Sequence, residues 1–412
     1  MRIAPNSTVE LASLTEDLEI EGPAKIKCIG ELSSLRIFGN VEVEGSPVNF
    51  LGNLACRNFE GEHCDVKCEG SLTSDLLRIR HGAITVSGDL TARSIDVDKR
   101  LKVVGNTQSD DVDIGGTLEI NTIKARMVDV GGVFRATGEV EVETIDVGGT
   151  FEAEGKTVAR SLDVGGRARI SGGEIKGRID VGGLFESKGP LSFGEIEVGG
   201  IVRLIGSSSG GDMDIGGRLT VEGDLNFNTL DIGGLAEITG KASGSNIDLG
   251  GRLSVGSDLT LVGELEVGGS ATIEGDATAN HLEVEGSLQS RSLVVESAEL
   301  GGRIKTNNGI FARGRVEIER KCRVEGWVRS ESAIEIERRA EVESISAPRI
   351  TIEDRVRVVN IYAEELEIEG AVSISGEALY TRLLRGDRMS FDDRSPSKVD
   401  SIAKENSWSF ES

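Results

Sequence analysis

The sequence predicts an all-β protein built as one long parallel β-helix, with about 17 residues in each three-strand coil. Three observations predict it. An apolar-acid-apolar-Gly-Gly unit recurs ten times, with its acid at Asp113, Asp129, Asp146, Asp163, Asp180, Glu197, Asp214, Asp231, Asp248 and Glu266. Seven of the nine steps between these acids are 17 residues, the signature of a solenoid. Within each unit the alternation has period two, as in a half-buried strand, and the composition suits short strands and tight corners: 55 Gly, 6 Pro and only 4% aromatic residues.

One unit shows the logic. In Ile145-Asp146-Val147 the apolar pair points one way and the acid the other. A second short alternation follows at Phe151-Glu152-Ala153 and a third near Val158–Leu162. Strands so close in sequence cannot pair with one another. Each is expected to pair with its equivalent one coil above and one below, giving parallel ladders. The Gly-Gly pair falls at the corner, where glycine is expected for its access to positive φ.

Taken in order, the chain starts with a short segment, 1–17. The grammar then runs from Leu18 to Ser375, through "LEIEG" (18–22), "VEVEG" (41–45), the ten strict units and "LEIEG" (366–370). At about 4.8 Å between strands, that length is on the order of 20 coils and ~100 Å of continuous β-helix. Residues 376–390 contain "EALYTRLLRGDRM", whose Leu379, Leu383 and Leu384 have helical spacing and suggest a cap across the last coil. Residues 391–412 are polar, carry Ser-Pro, and read as a disordered tail; its Trp408 and Phe410 are candidate partner contacts. Trp327 should point outward next to an inward Val328, a third candidate contact.

Charge and composition exclude several functions. A net charge of −24 opposes nucleic-acid binding, which depends on neutralising phosphates, and adhesion to an anionic membrane. No apolar run resembles a signal peptide or a membrane span, so the expected location is the cytoplasm. Five cysteines make no disulfide framework. Cys56, His63, Cys64 and Cys68 offer four soft ligands, but their spacing matches no common zinc site, and Cys28, Cys56 and Cys68 fill inward apolar slots.

"GGTFEAEGKT" (148–157) lacks the spacing and the helix of a phosphate-binding loop. A β-helical carbohydrate enzyme would need long loops, stacking aromatics and a distinct carboxylate pair. The near-constant coil length leaves no room for such loops, and the three histidines, His63, His81 and His281, share no repeat position. No catalytic, cofactor-binding or metal-ligating residue is expected.

The most distinctive surface feature is the acid column. In-register coils stack Asp146, Asp163, Asp180, Asp214, Asp231 and Asp248 on one outer face, about 4.8 Å apart. Aligned like charges repel unless compensated. Arg167, Arg218 and Arg252, just after Gly-Gly, are candidates to compensate them. The column is either a solvated face that keeps molecules apart or a strip that collects divalent cations or a basic partner.

Units of the form V-x-G-x-[LIV]-x-[AS], as in Val284-Glu285-Gly286-Ser287-Leu288 and Val324-Glu325-Gly326-Trp327-Val328, resemble those of the bactofilin family of polymer-forming cytoskeletal proteins. The resemblance covers the downstream third of the chain. It implies a right-handed, three-faced β-helix that stacks end to end into filaments without nucleotide and serves as a scaffold. This chain would be an extended version, several times longer than the family's core. The resemblance also adds the inner face of the cell membrane as an alternative location, although "MRIAPNS" offers little to insert into a bilayer.

The expected function is thus a non-enzymatic scaffold that self-assembles as a homo-polymer or homo-oligomer, with other cytoskeletal or envelope proteins as further partners and no cofactor. The alternative is a non-polymerising rod, acting as spacer or adaptor through its acidic face or C-terminal tail.

Overall fold

The computed structural model describes residues 1–384, 390–391 and 395–407. Strand makes up 69% of it, all pairing is parallel, and each turn of the β-solenoid takes about 17 residues. No α-helix occurs among the described residues. The chain divides into two compact units, Met1–Gly206 and Ser207–Ser412.

Through the repeat of the first unit the predicted register holds, interrupted by irregularities between Ala159 and Leu162 and between Ile175 and Arg178. Strand Val140–Val147 pairs with Thr157–Val164, placing Ile145 on Leu162, Asp146 on Asp163 and Val147 on Val164. Most inward residues stack in apolar columns, with the buried Thr157 and Ser187 as polar members. Val128, Ile145, Leu162, Ile179 and Ile196 make one, and Val130, Val147, Val164, Val181 and Val198 another, each residue at most 1% exposed. Burying one such side chain contributes about 1.5–3 kcal/mol, and stacking repeats that gain at every turn. A third column alternates size: Phe134 and Phe151 meet with ring centroids 4.9 Å apart, the small Ala168 follows, then Phe185. Large and small residues in sequence fill the interior without overpacking.

The glycine corners work differently from the expectation. Neither glycine of Gly148-Gly149 or Gly165-Gly166 adopts positive φ. Each sits over the matching glycine one turn below. A Cβ on Gly148 would lie 2.6 Å from the Gly131 carbonyl oxygen, and one on Gly149 would lie 2.5 Å from that of Gly132. The corner demands glycine because neighbouring backbones touch there. The ladder continues through it, with Gly148 N–H donating to the Val130 carbonyl at 3.0 Å and Thr150 N–H to that of Gly132 at 3.0 Å.

The solenoid begins before residue 18. Strands Arg2–Ile3, Ser7–Leu11 and Ser13–Leu14 pair with Leu18–Glu21, Ala24–Cys28 and Ser34–Ile37. One early turn is expanded, because Leu18 pairs with Val41, a step of 23 residues. The extra length forms a 3-10 turn at Glu31–Ser33 that leaves Leu32 91% exposed with φ 56°.

In the second unit the same register places Asp214 on Asp231 and Asp231 on Asp248. Its later strands lengthen, as in Ser287–Leu300, Glu341–Ile352 and Val356–Ile368. The helical spacing near Leu379 is misleading. Residues Ala378–Leu384 form a strand on Val356–Ile368, with Ala378 on Ile361 and Leu383 on Leu366. Ala378 supplies the inward contact and Leu383 is 36% exposed, so the three leucines do not form one apolar stripe. The described part of the polar tail is also placed. Ser397–Lys398 pairs with Leu379–Tyr380, and the Ser346 hydroxyl donates to the Asn406 carbonyl at 2.6 Å. Trp408 and Phe410 lie outside the described residues.

Candidate functional site: the acid column

Each acid of the repeat is the next-to-last residue of its strand, between two residues that point inward, so the carboxylates are forced onto one outer face. In the first unit the column runs Asp96, Asp113, Asp129, Asp146, Asp163, Asp180 and Glu197, each in register with the next. It therefore starts one turn earlier than the Gly-Gly repeat suggests. In the second unit it runs Asp214, Asp231, Asp248, Glu266, Glu283, Glu299, Glu317 and Glu335.

The crowding shows in the titration of these groups. Partial burial, then Asp180 and Asp146, raise the Asp163 carboxyl above its ordinary value, against a lowering effect of Arg178. Burial, then Asp129, Asp96 and Asp98, raise Asp113; burial, then Asp248 and Asp214, raise Asp231. At Glu266 the largest cause is the charge of Asp248.

Compensation comes from residues other than those expected. Arg167 and Arg252 open strands on the next face, beyond the corner, as does Arg218, and none makes an ion pair among the described residues. Relief occurs at the edges of the first unit's column. Arg78 Nε lies 3.0 Å from Asp96, and Arg178 lies 2.9 Å from Asp180 and also bonds Glu197. Asp129, Asp146 and Asp163 between them have only acids in register.

The neighbouring face is the informative contrast. There Lys102, Glu119, Arg135, Glu152, Arg169, Glu186 and Arg203 stack in register with strictly alternating sign. Lys102 reaches Glu119 at 3.2 Å, Arg135 reaches Glu152 at 3.0 Å and Arg169 reaches Glu186 at 2.9 Å. Opposite charges in register stabilise a sheet and like charges destabilise it. The same ladder thus carries one neutralised face and one compensated only near its ends. The alternation was available in the sequence as Arg135, Glu152, Arg169 and Glu186 at 17-residue spacing, but a search for repeated identical residues passes over it.

The other candidates resolve as follows. Trp327 does lie beside an inward Val328, but it is half-buried: its ring stacks on Tyr362 at 5.6 Å, with the Arg329 guanidinium 4.8 Å above it. Cys28, Cys64, Cys68 and Cys322 are buried and Cys56 is half-buried. Burial pushes Cys28, Cys64 and Cys68 up to about 11 and Cys56 and Cys322 up to about 12.

Among the described residues, two groups have the geometry to share a metal ion, Glu62 with His63 and His81, and Glu264 with His281 and Glu283; neither includes a cysteine. His63 and His81 therefore do share a position. Their rings stack with centroids 4.8 Å apart, because the turn between them takes 18 residues rather than 17.

No helix among the described residues is long and apolar enough to cross a membrane. No family model, curated protein or solved structure matches the chain.

Proposed function

We propose that the protein is a non-enzymatic scaffold that self-assembles end to end, through its outermost turns, into filaments. The observation that carries this reading is the register: in each unit strand after strand bonds to its equivalent one turn away, over columns of mostly apolar buried residues. In such a stack an outermost strand presents a row of free N–H and C=O groups, which a second copy matches with the same spacing. The bactofilin-like units point the same way. Negative-stain microscopy of the purified full-length chain tests it: filaments that lengthen with concentration support the reading, and discrete particles at all concentrations overturn it.

A second reading, an adaptor that holds basic partners on the acid column, is favoured by the contrast between the two faces. A strip compensated only near its ends, beside a neutralised one, is stabilised by any cation that covers it. Titration with Ca²⁺ or a polylysine peptide, read as a rise in melting temperature, separates the readings. The rise disappears in Asp146→Asn/Asp163→Asn if the column is the binding surface.

A further inference from the structure

We propose that Glu62, His63 and His81 form a binding site for a divalent transition-metal cation of the Zn²⁺ type, clipping two successive turns of the first unit together. Strands Asn58–Glu62 and Leu72–Arg80 pair with Glu62 on Arg80, so the residues that follow, His63 and His81, fall at equivalent corner positions. Both adopt the left-handed conformation, with φ 51° and 53°. Equal backbone conformation at registered positions aims both side chains the same way, which is why the rings lie 9° from parallel.

The corner backbone is anchored. His63 N–H donates to the Arg80 carbonyl at 2.9 Å, and His81 N–H donates to the Asp98 carboxylate at 2.7 Å. The Glu62 carboxylate stands 3.6 Å from His63 Nδ1, and one ligand atom from each of the three side chains lies within 4.8 Å of the others. All three side chains are exposed and free to close the remaining distance. The turn below contributes Gly45, which has no side chain to obstruct the pair.

Two imidazoles and one carboxylate suit Zn²⁺, which takes nitrogen at about 2.0–2.1 Å and carboxylate oxygen at about 2.0–2.2 Å, and they leave a fourth position for water or a partner's ligand. Cys64 and Cys68, the nearest cysteines in sequence, are buried and stand outside this cluster. A metal held by neighbouring turns binds the stacked state and not the unfolded chain, so it stabilises the fold by linkage.

The test titrates ZnCl2 into the full-length protein carrying His281→Ala, which silences the second histidine cluster, and follows heat and melting temperature. The expected result is one equivalent bound with a rise in melting temperature. His63→Asn and His81→Asn, each added to that background, should weaken binding by at least about 10–100-fold. Asn tolerates the left-handed corner, so both variants should melt like their parent without zinc. Unchanged binding in both variants, or no zinc bound by the parent, overturns the site.

Discussion

Asp146 lies directly over Asp163, while across the Gly148-Gly149 corner Glu152 lies between Arg135 and Arg169. Two adjacent faces of one ladder therefore treat charge in opposite ways, and the consequences are measurable.

Neutralising a member of each column should shift stability in opposite directions. Asp163→Asn removes repulsion from Asp146 and Asp180 and should raise stability, whereas Glu152→Gln removes attraction to Arg135 and should lower it. Cross-strand pairs of this kind are worth about 0.2–1 kcal/mol. Melting at low salt should show the opposite signs, and 1 M salt, with a Debye length of about 3 Å, should shrink both.

Acidification from neutrality should first stabilise the fold. Asp113, Asp163, Asp231 and Glu266 have folded values raised above their ordinary ones, so over that window the native state binds more protons than the unfolded chain. Its stability therefore grows as pH falls through the raised values. Asp276 acts the other way. Hydrogen bonds from Arg291 and Ser292 lower it from 3.8 to about 2, so its small contribution is lost as pH falls through that lower window. Melting temperature should rise as pH falls through the raised values of the column and fall once the lowered carboxylates, Asp276 among them, take up protons. Asp163→Asn with Asp231→Asn should flatten the rise; a rise unchanged in that variant would remove the column as its cause.

One Gly-Gly pair offers an internal control. A Cβ on Gly251 would lie 1.8 Å from the Gly234 carbonyl oxygen, but one on Gly250 meets nothing closer than 4.0 Å. Gly251→Ala should destabilise by about 1–3 kcal/mol as the backbone is forced apart. Gly250→Ala should be neutral, or stabilising by about 0.4–1 kcal/mol through the unfolded chain. Chemical denaturation of the two variants checks the difference.

The repeat made the middle of the fold legible because both of its signals, the 17-residue step and the Ile-Asp-Val alternation, arise from the same backbone geometry. Outside it the signals weaken for identifiable reasons. Arg2–Ile3 is too short to show alternation, Ser7–Leu11 buries none of its residues fully and lacks a closing glycine, and the 23-residue turn after Leu18 breaks the period. Leu379, Leu383 and Leu384 match a helix by spacing alone, but Ala378, too small to mark a pattern, carries the inward contact. His63 and His81 escaped notice because an 18-residue turn moves them out of a strict 17-residue count. The glycine corners were located correctly, yet their cause is contact between stacked backbones, which one turn read alone cannot show.

The register of the acid column is the claim on which the scaffold reading rests most directly. Nitroxide labels on Asp146→Cys and Asp163→Cys measure it by electron paramagnetic resonance, since the native thiols are buried or held protonated by values pushed up to about 11–12. Labels in register, about 4.8 Å apart along the ladder, should give strong spin–spin broadening in the double variant. A double-variant spectrum equal to the sum of the two singles would contradict the account.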